Sequence, residues 1–185
     1  VRFRRRKPAD QPDTGATAEP EPATAPEPGS GPFDADEVDV EHDGVQRVDL
    51  GSLLVVPGPG RDVRLQVNEK TQAVQAVLVA GQEGALEVRA FAAPRNGDLW
   101  NDVRPQIAAD MTRRGGTDDE REGRFAPELL CRVQVKRSDG GTGTQVSRIV
   151  GVNGPRWLLR ATFIGKPAVD EEAAAEWERV LGDVV

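Results

Sequence analysis

Residues 8–46 carry eleven Asp or Glu, seven of the fourteen prolines and no Lys or Arg, and this block limits where a core can form. Its apolar surface is too small for burial to offset the chain entropy lost on ordering. The reading is a disordered N-terminal arm over residues 1–46. From Val48 onward, Val, Leu and Ala runs punctuated by Gly and Asp leave about 138 residues to fold, read as one domain over 47–185. That length supports a single ordinary core.

The net charge of −7 divides along the same boundary. Five positive charges (Arg2, Arg4, Arg5, Arg6, Lys7) precede the acidic block, so the arm carries −6, and the remainder, with 19 basic and 20 acidic residues, carries −1. A nearly neutral domain argues against nucleic-acid wrapping. Cys131 is the sole cysteine, which excludes an intramolecular disulfide and a four-cysteine zinc site. No run approaches 18 apolar residues, and the basic start leads into Pro8-Ala9-Asp10 instead of an apolar signal core. The expectation is a cytoplasmic protein without a transmembrane segment. Twenty Arg against four Lys, three Ile and no Tyr indicate a GC-rich genome, in which Val1 reads as a GTG start and the true N-terminus.

Along the folded part, periodicity gives strands before helices. Asp62 to Asn68, Ala73 to Ala80 and Ala85 to Phe91 alternate or run apolar between short polar loops, as an antiparallel meander does. Asn96-Gly97-Asp98 then opens a helix with Leu99, Val103, Ile107 and Met111 at four-residue spacing; Gly115-Gly116 stops it and Pro105 marks a kink or a later start. Asp118 to Glu122 reads as a charged loop. Leu129 to Arg137 and Thr144 to Val152 are strands around a Gly-rich turn (Ser138 to Gly143). Asn153-Gly154 suggests a tight hairpin with positive φ, and Arg156 to Ile164 returns as a strand. Asp170 caps a last helix whose Ala173, Trp177, Val180, Leu181 and Val184 form one apolar stripe. The order β-β-β-α-β-β-β-α implies an α+β fold, an antiparallel sheet of about six strands covered by helices.

The phrases Gly31-Pro32-Phe33-Asp34-Ala35-Asp36-Glu37, Gly44 to Leu53 and Val152-Asn153-Gly154-Pro155-Arg156-Trp157 resemble an uncharacterised actinobacterial family bearing only a domain-of-unknown-function label. The similarity runs from about residue 31 onward and implies no activity. Members of that family continue beyond a position equivalent to Val185 with a proline-rich basic tail, which implies a truncation there. In strand order and closing helix the chain also resembles the fold shared by photosystem P-type lumenal proteins and a nuclear-transport cofactor, a likeness of fold that says little of function.

Chemistry is mostly excluded. His42, the sole histidine, lies in the acidic arm between Glu41 and Asp43, so a catalytic triad or metal site built on a folded histidine has no histidine to use. Cys131 shares a strand face with Leu129, Val133 and Val135 and reads as a buried inert thiol; activation would need a neighbour such as Arg132 or Arg148. Asp118, Asp119, Glu120 and Glu122 lack EF-hand spacing, and Gly140-Gly141-Thr142-Gly143 lacks the Walker lysine and opens no helix. No cofactor, metal or catalytic residue is assigned. Trp157 and Trp177 read as core, and Trp100 as core edge or contact surface.

Two features carry functional expectations. One is the arm, whose aromatic-plus-acid string Gly31 to Asp43 could dock on a protein partner or on its own domain. The other is the polar sheet face, where alternation puts Arg64, Arg89, Arg132 and Arg160 outward as candidate binding residues, against the plainer alternative of cross-strand pairing with carboxylates such as Glu87 and Glu128. The resulting reading is a non-enzymatic binding or adaptor protein. Its alternatives are a small-molecule-binding domain or an enzyme of unknown reaction, and peripheral attachment to anionic membrane or nucleic acid through Arg2 to Lys7. The sequence gives no oligomeric state.

Overall fold

The computed structural model describes residues 30–136 and 140–185; the basic cluster Arg2 to Lys7 and the start of the turn at Ser138 lie outside them. A two-residue pair, β1 (Val48–Asp49) with β2 (Leu54–Val55), precedes the meander β3 (Asp62–Val67), β4 (Val74–Ala80) and β5 (Gly84–Ala92). Helix α1 (Leu99–Arg113) follows, then β6 (Thr117–Arg121), β7 (Glu128–Lys136), β8 (Thr142–Asn153), β9 (Trp157–Gly165) and helix α2 (Glu171–Gly182). Strands β3 to β9 form one antiparallel sheet in the order β3-β4-β5-β9-β8-β7-β6. The α+β class is as the pattern of apolar residues predicts, with one more strand in the sheet than expected.

The extra strand is the segment read as a charged loop. Thr117 to Arg121 pairs with Arg132 to Glu128 along β7. At a sheet edge a strand gains its ladder bonds on one side only, and charged side chains there block pairing with other strands.

Each helix covers one face of the sheet, so there are two cores. On the first face, Val77, Val79, Leu86, Val88, Leu159, Ala161 and Phe163 meet Trp177, Val180 and Leu181 of α2. Asp170 caps α2 by accepting the Ala173 N–H at 2.9 Å. On the second face, Leu129, Cys131, Ile149 and Leu158 pack against Trp100, Ile107 and Met111 of α1. Asp98 caps α1, and Pro105 sits within the helix without ending it. Trp100 is buried on Gly151, where a Cβ would run into the indole ring. Its Nε1–H donates to the Pro127 carbonyl at 2.7 Å.

Two expectations are corrected. Neither Asn153 nor Gly154 has a positive φ; Gly154 to Arg156 is a three-residue loop, closed by the Gly154 N–H to the Trp157 carbonyl at 2.8 Å. Glycine is required there because a Cβ would collide with the Trp157 ring. The arm boundary at residue 46 is also too far along the chain. Residues 30–46 pack on the domain: Gly31 and Phe33 donate backbone bonds to Gly182 and Val184 at 2.9 Å each, and Val38 is buried. Asp34 caps a 3-10 turn over Ala35–Glu37 and accepts the Trp157 Nε1–H at 2.8 Å. This strap supplies few apolar side chains of its own, but its backbone bonds need none. No described helix is long and apolar enough to cross a membrane.

Candidate functional site

Strands β5 and β9 run side by side at the centre of the sheet, and their register sets Arg89 directly opposite Arg160. Both point to the face that carries α1, where they line a cleft with Val103, Ile107 and Met111 of that helix. Two like charges across a strand pair are unfavourable unless something neutralises them. Arg89 is served locally, since its Nε–H donates to Glu87 at 2.8 Å. Arg160 makes no ion pair among the described residues; its guanidinium lies over the Phe91 ring, 5.4 Å from the centroid. Burial, then the neighbouring Arg89 charge, push the Arg160 pKa down, opposed in part by Glu87.

Helix α1 completes a cleft of about 570 Å³ over this pair. Arg113 and Arg114 from its last turn line the cleft and share one carboxylate, Asp110, at 3.0 and 2.7 Å. Thr162 and Ser147 add hydroxyls from β9 and β8. Four guanidinium groups therefore face two carboxylates, Asp110 and Glu87, in and beside the cleft. The surplus positive charge, the planar donors and the hydroxyls suit a carboxylate or phosphate group.

The four candidate arginines are thus divided. Arg89 and Arg160 come together. Arg64 shares their face but stands two strands away at the edge, exposed and 3.7 Å from Asp62. Arg132 belongs to the opposite face, because its register partner Val146 sits two residues before Arg148, which packs under α2 against Phe163. Its guanidinium pairs with Asp119 on β6. The expected convergence of all four on one surface is therefore corrected. Sequence reasoning missed Arg113 and Arg114, although a basic pair in the last turn of an amphipathic helix was a readable signal.

Other candidates are placed as follows. Cys131 is fully buried, and burial with the nearby Asp118 charge pushes its thiol up to about 11. Arg132 and Arg148 lie across the sheet from it and cannot activate it. His42 is exposed, with Nδ1 3.0 Å from Asp39. The string Asp34 to Asp43 does not reach the arginine cleft: Asp34 is held by Trp157, and Asp43 accepts Arg47 Nη1 at 3.0 Å. Asp118 and Glu120 on β6 turn towards α1, where Glu120 accepts from Arg104 at 2.9 Å. Among the described residues no group of three or more His, Cys, Asp or Glu could hold a metal ion.

Residues 31–185 match the model of the family described as protein of unknown function, DUF3710. The chain belongs to the DUF3710 family. The match begins at Gly31, whose N–H donates to the Gly182 carbonyl, so the DUF3710 region includes the strap. No curated protein matches this DUF3710 chain.

Proposed function

We propose that this DUF3710 domain is a non-enzymatic binding module, and that the cleft between α1 and the sheet receives an acidic group of a partner protein. The observation that carries the reading is Arg160. It is half-buried, faces a second arginine across the strand pair and has no ion pair among the described residues. Such an arrangement costs stability in the empty domain and is relieved when an anion enters. Perturbed charged groups in a cleft are candidates for function on these grounds. The cleft offers guanidinium and hydroxyl donors, and no histidine or cysteine is among its lining residues, which supports capture of a group over its conversion.

The test is a titration with inorganic phosphate and with a Glu-rich peptide at fixed ionic strength, followed by amide chemical shifts. Shifts should concentrate on Arg89, Arg160, Thr162 and the last turn of α1. Arg160→Met should weaken binding about ten-fold or more, the scale of one lost charge-assisted hydrogen bond. Arg64→Met, which removes an equal charge outside the cleft, should change little. Equal losses in the two variants would reduce the effect to general electrostatics and overturn the reading.

A further inference from the structure

A second cleft, of about 520 Å³, lies on the face of the sheet that carries α2. The strap forms one wall through Phe33 and Asp34, the β1–β2 turn forms another through Asp49, and Trp157 and Leu159 lie at its floor. The end of β5, through Ala90 and Ala92, closes one side. No Lys, Arg or His is among the lining residues, and the charged side chains that line it are the two carboxylates. It is thus opposite in character to the arginine cleft: apolar, aromatic and acidic.

We infer that this strap-walled cleft is a binding site for a small organic cation, an amine or guanidinium carried on an apolar body. Two aromatic rings, Phe33 and Trp157, present surfaces that attract a cation through their quadrupoles while burying apolar atoms. Asp34 supplies the counter-charge. Its Oδ2 accepts from Trp157 Nε1 at 2.8 Å and its Oδ1 from the Asp36 N–H at 3.2 Å, and a carboxylate has further lone-pair sites beyond these two. The same two bonds, Trp157 first, hold its pKa below the ordinary carboxylate range, so the charge persists at neutral pH. The volume falls within the range of pockets that enclose small ligands. Neutral apolar ligands would compensate neither carboxylate charge, and anions would meet repulsion from both walls.

The experiment uses three isosteric probes, 4-phenylbutylamine, 4-phenylbutanol and 4-phenylbutanoate, titrated into the full chain and followed by the Trp157 indole N–H resonance. The amine should bind about ten-fold more tightly than the alcohol, and the carboxylate more weakly than either. Asp34→Asn keeps an acceptor for Trp157 and should abolish the preference for the amine while leaving alcohol binding unchanged. Asp49→Asn, on a wall that does not include the strap, should reduce the same preference without touching the Trp157 bond. Equal affinities for amine and alcohol in the wild type, or a preference that survives both substitutions, would overturn the inference. Because phosphate binding is read at Arg160 and amine binding at Trp157, either site can fail without the other.

Discussion

Trp100 and Gly151 are expected to be coupled more strongly than their separate costs suggest. Trp100→Ala removes a fully buried indole from the core under α1, a loss of about 3 to 5 kcal/mol. It also leaves the Pro127 carbonyl without its donor, about 1 kcal/mol more. Gly151→Ala alone is an overpacking change. The new methyl lands on the indole, which cannot retreat because its N–H is fixed at 2.7 Å and its backbone N–H donates to Asn153 at 3.0 Å. A cost of about 1 to 3 kcal/mol follows. In the double variant the methyl enters space that the indole has vacated, so most of the second cost disappears. The pair should therefore be less destabilised than the sum of the singles by at least about 1 kcal/mol. Urea unfolding of the four proteins by far-ultraviolet circular dichroism gives each midpoint and slope. Additivity within about 0.5 kcal/mol would show that the ring moves aside, and would refute the claim that glycine at 151 exists to seat it.

Cys131 makes an alkaline prediction: its folded pKa of about 11 lies above the ordinary thiol value of 9.0, so its contribution is complete below about pH 9 and is lost as pH rises through 11. Wild-type stability should fall by up to about 3 kcal/mol more than that of Cys131→Ala between pH 8 and 11, measured by urea unfolding, and parallel curves would refute it. The strap should be structural. A chain beginning at Gly44 should be less stable than one beginning at Ser30 by about 2 kcal/mol, having lost the Asp34–Trp157 bond, two backbone bonds and the burial of Val38. Equal melting temperatures would show that the strap only rests on the surface.

The helices and the long strands were legible because their apolar spacing is set locally. Trp177 and its stripe predict α2, and Leu99 to Met111 predict α1. The segment Thr117 to Arg121 was not legible, since Asp-Asp-Glu-Arg has the composition of a solvated turn and becomes a strand only through its pairing with β7. The facing of the arginines was half legible. Alternation along β5 and β9 puts Arg89 and Arg160 on one side, but a sheet covered on both faces has no solvent side to calibrate against. On β7 the side of Arg132 also holds Glu128, buried beside Arg148 and Arg121, so a polar side chain there does not mark an outward face. The strap was hidden for a different reason. Composition shows that residues 31–46 cannot form a core alone, but says nothing of backbone partners at 182 and 184.

The distance between those partners has a consequence for biosynthesis. The strap is made early, yet the carbonyls it pairs with belong to Gly182 and Val184, roughly 150 residues later, a span whose closure entropy is met only once the intervening sheet has formed. On a ribosome, where chains emerge in order and fold as they appear, the sheet and α1 can consolidate while the strap is still unpaired. The acidic cleft, whose wall is the strap, is therefore completed only after the sheet has formed. The arginine cleft, built from residues 89 to 162, is available before it.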